Sequence, residues 1–184
     1  MSTDDELPGR PARAPGAPPR EVLIVNVGSQ YSTVVRSVEH QPLALRMVRH
    51  GAVSLAAAHA AAANASGAAV VQLIRAAAGQ VAERARLDLL RGSECPVVGS
   101  AGISGAVIKL GAAGRSRATL DQVRGATETL AETWLAELRA NRPQAGIETM
   151  MIGAAVLEAV LDGIGASEIV VDDETPRESA SGID

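Results

Sequence analysis

The chain has 184 residues, with 17 Lys+Arg against 21 Asp+Glu and a formal net charge of −4, so it lacks the basic balance of a nucleic-acid-binding domain. Apolar residues make up 47% and aromatic residues 1%, with no Phe, one Trp and one Tyr; this is globular composition without the stacking platforms that single-stranded nucleic acid needs. No apolar run reaches the ~20 residues of a membrane span and the first 20 residues lack the apolar stretch of a secretory signal, which leads to the expectation of a cytoplasmic chain.

Residues 1–20 hold Pro8, Pro11, Pro15, Pro18 and Pro19 with no apolar periodicity, the composition of a disordered tail. Glu21 to Gly28 (EVLIVNVG) is a continuous apolar run closed by glycine and predicts a central strand buried on both faces. Tyr31 to Val38 is rich in β-branched residues, and Leu43, Leu45 and Met47 alternate with Ala44, Arg46 and Val48 beyond a turn at Glu39-His40-Gln41-Pro42. Two strands joined as a hairpin fit this pattern. From Val53 the period becomes helical: Ser54 to Ala63 reads as one helix and Ala68 to Arg91 as a second, with a short strand at Ala68 to Leu73 as the alternative.

Cys95 to Gly99 reads as a strand that enters a glycine turn, and Ile103 to Leu110 has helical spacing. Thr119 to Asn141 carries Leu120, Val123, Leu130, Trp134 and Leu138 close to an i, i+3/i+4 ladder, with Pro143 just past its end, and predicts a long helix. Another helix runs from about Met150 to Leu161, and Glu168 to Val171 (EIVV) reads as a last buried strand. The order β-β-β-α-α-β-α-α-α-β describes a mixed five-stranded α/β sheet, led by a hairpin and extended by parallel strands, with helices on both faces. One domain is expected over residues 21–173, followed by a flexible polar tail at 174–184.

Two turns concentrate hydrogen-bonding groups. Asn26-Val27-Gly28-Ser29-Gln30-Tyr31-Ser32-Thr33 brings a glycine, hydroxyls and two amides to a turn between strands. Turn N–H groups and Ser/Thr hydroxyls are what a phosphate needs for uncharged hydrogen bonds. Asn26, Gly28, Ser29, Gln30, Ser32 and Thr33 are therefore candidate phosphate-binding residues, although a plain hairpin turn has the same pattern. Gly99-Ser100-Ala101-Gly102-Ile103-Ser104-Gly105 is a strand-to-helix turn whose N–H groups could receive an anion. Gly99, Ser100, Gly102, Ser104 and Gly105 are its candidates; the alternative is a helix capped by Ser100 or Ser104, with glycines for close packing.

In their order along the chain, Val22 to Leu55, Cys95 to Gly111 and Val123 to Glu178 resemble the second lobe of the exopolyphosphatase and guanosine pentaphosphate phosphohydrolase family. The stretch Asn26 to Thr33 is similar to that family's Asp-Ile-Gly-Gly-Gly-Ser-Thr-Glu phosphate loop, one residue longer. Leu45 to Leu55 (LRMVRHGAVSL) is similar to the Arg-Ser-x-x-x-Gly run that follows it, and Gly153-Ala154-Ala155-Val156-Leu157 through Val171-Asp172 to Arg177-Glu178 is similar to the closing segment. The resemblance implies a ribonuclease H-like, actin-like ATPase half-fold. It also implies a phosphoanhydride hydrolase as the ancestral activity, Mg²⁺ as cofactor, and polyphosphate, a phosphorylated nucleotide or phosphate as ligand.

The departures bear on chemistry. The family's loop aspartate is Asn26 here and the glutamate after Ser-Thr is Val34, so no catalytic residue and no metal ligand is assigned. The expectation is a phosphate-binding lobe with little activity alone, completed by a partner protein, a second copy or a complementary lobe. The alternative is a scaffold that keeps only the fold. Val22 to Val38 also resembles the opening of the glutaminase domain of GMP synthase. That reaction needs a cysteine at the strand-to-helix elbow and a later histidine; the elbow is Ser100-Ala101-Gly102 and no histidine follows His59.

The remaining residues have plain readings. The lone Cys95 reads as a small buried hydrophobe, and Trp134 as core or interface. With Cys95, the scattered His40, His50 and His59 make no metal-ligand spacing. Asp172-Asp173-Glu174 reads as a solvated acidic turn.

Overall fold

The computed structural model describes residues 21–28, 30–39, 41–49, 66–91, 95–100, 102–142 and 145–171. Both tails, the helix expected at Ser54 to Ala63, all three histidines and the Asp172-Asp173-Glu174 turn lie outside the described residues. Six strands form one mixed sheet: β1 (Glu21–Val27), β2 (Tyr31–Val38), β3 (Gln41–Arg49), β4 (Val97–Gly99), β5 (Arg117–Thr119) and β6 (Glu168–Val171), in the spatial order β3-β2-β1-β4-β6-β5. The helices are α1 (Gly67–Arg84), α2 (Ile103–Gly111), α3 (Leu120–Arg139) and α4 (Ala145–Ile164).

The apolar run of β1 does place it inside the sheet. It pairs antiparallel with β2 and parallel with β4, and β4 pairs parallel with β6. The antiparallel hairpin excludes an all-parallel amidotransferase-like sheet. The expectation of burial on both faces is corrected by the alternation along the strand. Leu23, Val25 and Val27 are buried, whereas Val22 and Ile24 are half-buried and Asn26 is exposed. Successive strand side chains alternate between faces, so one face is covered and the other is open. Ser32, Val34 and Val48 continue the covered face across β2 and β3; Tyr31, Leu45 and Met47 stand exposed on the other. All four helices pack against the covered face or one another, and no described helix covers the open one.

Local sequence explains most boundaries. Pro42 lies on the edge strand β3, where a missing N–H is tolerated, and the β2–β3 register slips between Arg36 and Ser37. Helix α1 starts at Ser66, whose side chain accepts from the Ala69 N–H, and buries Val70, Val71, Ile74, Ala78 and Ala82, so Ala68 to Leu73 is helix and not strand. It ends before the expected Arg91: Arg86 takes a left-handed φ of 55°, and Leu87–Leu90 form a short 3₁₀ turn. Helix α3 opens with a capping box, Thr119 and Gln122 each bonding the other's backbone N–H.

The sixth strand, β5, runs antiparallel to β6. Its three residues are too few to show a period, and they merge into the start of the α3 pattern. Helix α4 is longer than expected at both ends and is buried almost throughout from Met151 to Leu161. Gly153 lets it approach the sheet, since a Cβ there would sit 2.3 Å from Ile103 Cγ2 and 3.4 Å from Val27 Cγ1. Arg75 of α1, Thr127 of α3 and Glu158 of α4 tie the three helices together: the guanidinium lies 2.8 Å from one Glu158 oxygen, and the Thr127 hydroxyl donates to the other at 3.3 Å. Trp134 is fully buried, in the core as expected.

Candidate functional site

Parallel neighbours β1 and β4 end at the same side of the sheet, so the β1–β2 turn and the β4–α2 turn emerge together. Ligands commonly sit at the carboxyl ends of such strands. In the first turn the Gly28 N–H donates to the Tyr31 carbonyl at 3.1 Å. A Cβ on Gly28 would lie 2.7 Å from that same oxygen, so this close approach needs glycine. Gln30 is exposed at the tip, and Ser29 lies outside the described residues.

Hydrogen bonds among the described residues join the two turns. The Ser100 N–H donates to the Val25 carbonyl at 2.9 Å, the Ser100 hydroxyl donates to Asn26 Oδ1 at 2.8 Å, and the Val27 N–H donates to the buried Ser104 hydroxyl at 3.2 Å. The loops therefore stand side by side as one unit. The N–H groups of Val27 and Gly28 are taken by protein acceptors. Asn26 keeps the two N–H donors of its amide nitrogen, because its oxygen receives the Ser100 proton.

Strand alternation separates the first-turn candidates. Asn26 pairs with Thr33, and both lie on the open face; Val27 pairs with Ser32, and Ser32 is fully buried beneath the helices. Asn26, Gly28, Gln30 and Thr33 thus border solvent at one corner, and Ser32 turns away from them. Among the second-turn residues, Gly99 is a packing glycine, since a Cβ there would meet Ile108 and Ile169 at 3.1 and 3.2 Å. Gly105 lies close to Val171, and Gly102 takes a positive φ of 95°. Neither serine caps α2: Gly102 stands at the N-cap with no side-chain hydrogen bond. Ser100 and Ser104 instead bridge to β1, a use that only the β1–β4 pairing reveals.

Electrostatically the corner is plain. Residues 26–33 and 98–105 contain no Asp, Glu, Lys, Arg or His. Among the described residues, displaced titration is found at Arg36, raised by its hydrogen bond and charge pairing with Glu21, and in the exposed pair Arg86 and Asp88, in which the Arg86 hydrogen bond lowers Asp88. Among the described residues no group of three His, Cys, Asp or Glu side chains is placed to hold a metal. Mg²⁺ prefers carboxylates and water in octahedral geometry, and the amide oxygen of Asn26 is engaged by Ser100. The residues at this corner do not fit a Mg²⁺ site. Cys95 is half-buried against the core and lines a cleft of about 600 Å³ near the start of β4, with Arg117 and Glu168.

No family model and no curated protein matches the sequence, but solved structures match the fold. The Ppx/GppA enzyme of Aquifex aeolicus superposes with a TM-score of 0.60 at 15% identity, covering 85% of this chain and 54% of that one. An exopolyphosphatase-like protein gives 0.60 at 15% identity over 84% and 56%. An exopolyphosphatase from Cytophaga hutchinsonii gives 0.55 at 12% identity over 84% and 53%. The chain has the fold of one lobe of a Ppx/GppA protein. It spans about half the length of those structures.

Arg49, within the stretch Leu45 to Leu55, is a further exposed residue near this corner that the linear pattern does not single out. The cross-strand register sets it opposite Tyr31, exposed, at the same end of the sheet as the two turns. Its position depends on the length of β3 and on the shift in register below it, neither of which is visible in a linear pattern.

Proposed function

We propose that this chain is a Ppx/GppA-type lobe, corresponding to the second lobe of such enzymes, that binds a phosphate-containing ligand at the paired turns and does not hydrolyse it alone. The observation that carries this reading is the Asn26–Ser100 hydrogen bond. It fixes an amide, with its N–H donors available, where the family's loop carries an aspartate. An amide donates to phosphoryl oxygens, but it neither accepts a proton at neutral pH nor neutralises a divalent cation. The uncapped N-terminus of α2 adds a favourable dipole for an anion beside it. Hydrolysis would require carboxylates to hold metal and orient water, and a complementary lobe or partner chain is where such groups would come from.

A thermal-shift titration with inorganic polyphosphate, guanosine pentaphosphate and orthophosphate tests the binding. A ligand present at 100 times its Kd is expected to stabilise the fold by ~2.7 kcal/mol. A melting temperature that no phosphate ligand moves would contradict the proposal. The scaffold reading is favoured by one observation, the open sheet face bearing Tyr31, Leu45 and Met47 at 53%, 55% and 45% exposure. Exposed apolar patches of this kind mark interaction surfaces, and that reading gains if ligands fail while the chain self-associates.

A further inference from the structure

The paired turns offer a polyanion hydrogen bonds but no charge. Residues 26–33 and 98–105 contain no ionised side chain. Hydrogen bonds to an ionised partner from a cationic donor are about twice as strong as neutral ones, and a guanidinium matches phosphate geometry with two parallel N–H donors. A site for a multiply charged phosphate on this lobe therefore needs an arginine or lysine near the turns.

The sheet register supplies one. Tyr31 pairs with Arg49 and Thr33 pairs with Met47 across β2–β3, while Asn26 pairs with Thr33 across β1–β2. Tyr31, Thr33, Asn26 and Arg49 belong to the open face, because their neighbours Ser32, Val34, Val27 and Val48 are buried beneath the helices. Adjacent strands lie about 4.8 Å apart, so Arg49 starts two strands, roughly 10 Å, from the end of β1. Its side chain can extend across β2 toward the Asn26–Thr33 row, with the Tyr31 ring beside it. Arg49 is exposed and makes no ion pair with a described carboxylate. By contrast, Arg36 is held by Glu21, and Arg46 points to the covered side opposite Val34.

We propose that Arg49 is the cationic residue of the phosphate site and gives it a preference for condensed phosphates. One phosphoryl group binds at the N–H donors of the Asn26 side-chain amide, whose oxygen is engaged by Ser100, and the next along the chain is held by the Arg49 guanidinium with the Tyr31 hydroxyl. This rests on the phosphate-binding reading above and adds to it the residue that discriminates among its ligands. Orthophosphate, too short to bridge both positions, binds weakly and is indifferent to Arg49.

The test is calorimetric titration of the full chain with inorganic tripolyphosphate, GTP and orthophosphate at low salt, for the unsubstituted protein and for Arg49→Ala, Arg49→Lys and Arg46→Ala. Thermal melts confirm that each variant is folded. Arg49→Ala is expected to weaken tripolyphosphate or GTP at least 10-fold, with Arg49→Lys intermediate and Arg46→Ala within twofold of the parent. Loss for both ligands points to the phosphate chain they share, and loss for one alone identifies which source the site prefers; either supports the inference. Unchanged affinity in Arg49→Ala, or equal losses in Arg49→Ala and Arg46→Ala, overturns it and leaves phosphate binding standing. No binding by the unsubstituted chain overturns the underlying reading and the inference together.

Discussion

Ser100 and Ser104 are four residues apart and make different bonds to β1, and the difference is measurable. Ser104 is fully buried and accepts the Val27 N–H, so Ser104→Ala strands a backbone donor in the interior. The expected loss in urea denaturation is about 1–3 kcal/mol, the penalty for a buried unsatisfied group. Ser100→Ala removes the exposed bond to Asn26 Oδ1 and is expected to lose less than about 1 kcal/mol, while lowering affinity for a phosphate ligand because the Asn26 amide loses its fixed orientation. The reverse order of stabilities would show that the two serines have exchanged these roles. Gly28→Ala belongs with them: the 2.7 Å approach to the Tyr31 carbonyl forces the turn open, and both stability and binding should fall. The sequence made these residues candidates through their type and clustering. It did not reveal that Ser32 faces the core or that Ser104 anchors β1, since both depend on which strands become neighbours.

At the scale of elements, the fold was legible wherever a pattern ran for several residues. The β1 run, the hairpin, the α3 ladder with its Thr119 start, and the EIVV strand all lie where the linear pattern puts them. It was not legible in β5, too short to show a period, or at the end of α1, where Arg86 breaks the helix with no glycine or proline to announce it. Tertiary contacts decide the first: the Leu120 N–H donates to the Ser167 carbonyl and the Val171 N–H to the Ser116 carbonyl, which hold β5 against β6. The joint of α1, α3 and α4 at Glu158 is likewise invisible in any one helix. Glu158 is 8% exposed and faces Arg75, with Arg124 at 3.8 Å. Glu158→Ala leaves the half-buried Arg75 without its principal partner and is expected to lose about 2–4 kcal/mol, toward the range for breaking a buried pair. Glu158→Gln, which keeps an acceptor for Thr127, should lose less. A loss under about 0.5 kcal/mol for the alanine variant, no more than an exposed pair gives, would show that the joint is peripheral.

For the molecule as a whole, the asymmetry of the sheet is the governing feature. Among the described residues, helices cover one face, and the other presents Leu45, Met47 and Tyr31 to solvent. Substituting Leu45 or Met47 by Thr is therefore expected to change stability by no more than about 0.5 kcal/mol. Leu157→Ala in the fully buried part of α4 should lose about 2–5 kcal/mol. Comparable losses at Leu45 and Leu157 would mean that the open face is covered in solution. The core relies on Ala126, Ala131, Ala154 and Ala155 between the helices, as a chain without Phe requires, and it places the two turns and Arg49 at one corner of that open face.

If this corner binds a condensed phosphate without turning it over, one calorimetric injection series reads both properties. Inorganic tripolyphosphate titrated into the full chain in Mg²⁺-containing buffer is expected to give a saturating binding isotherm, with each peak returning to baseline. Either of two results would contradict the proposal: the absence of binding heat, or a sustained heat after each injection accompanied by release of orthophosphate, which would mean that the amide at Asn26 does not prevent hydrolysis.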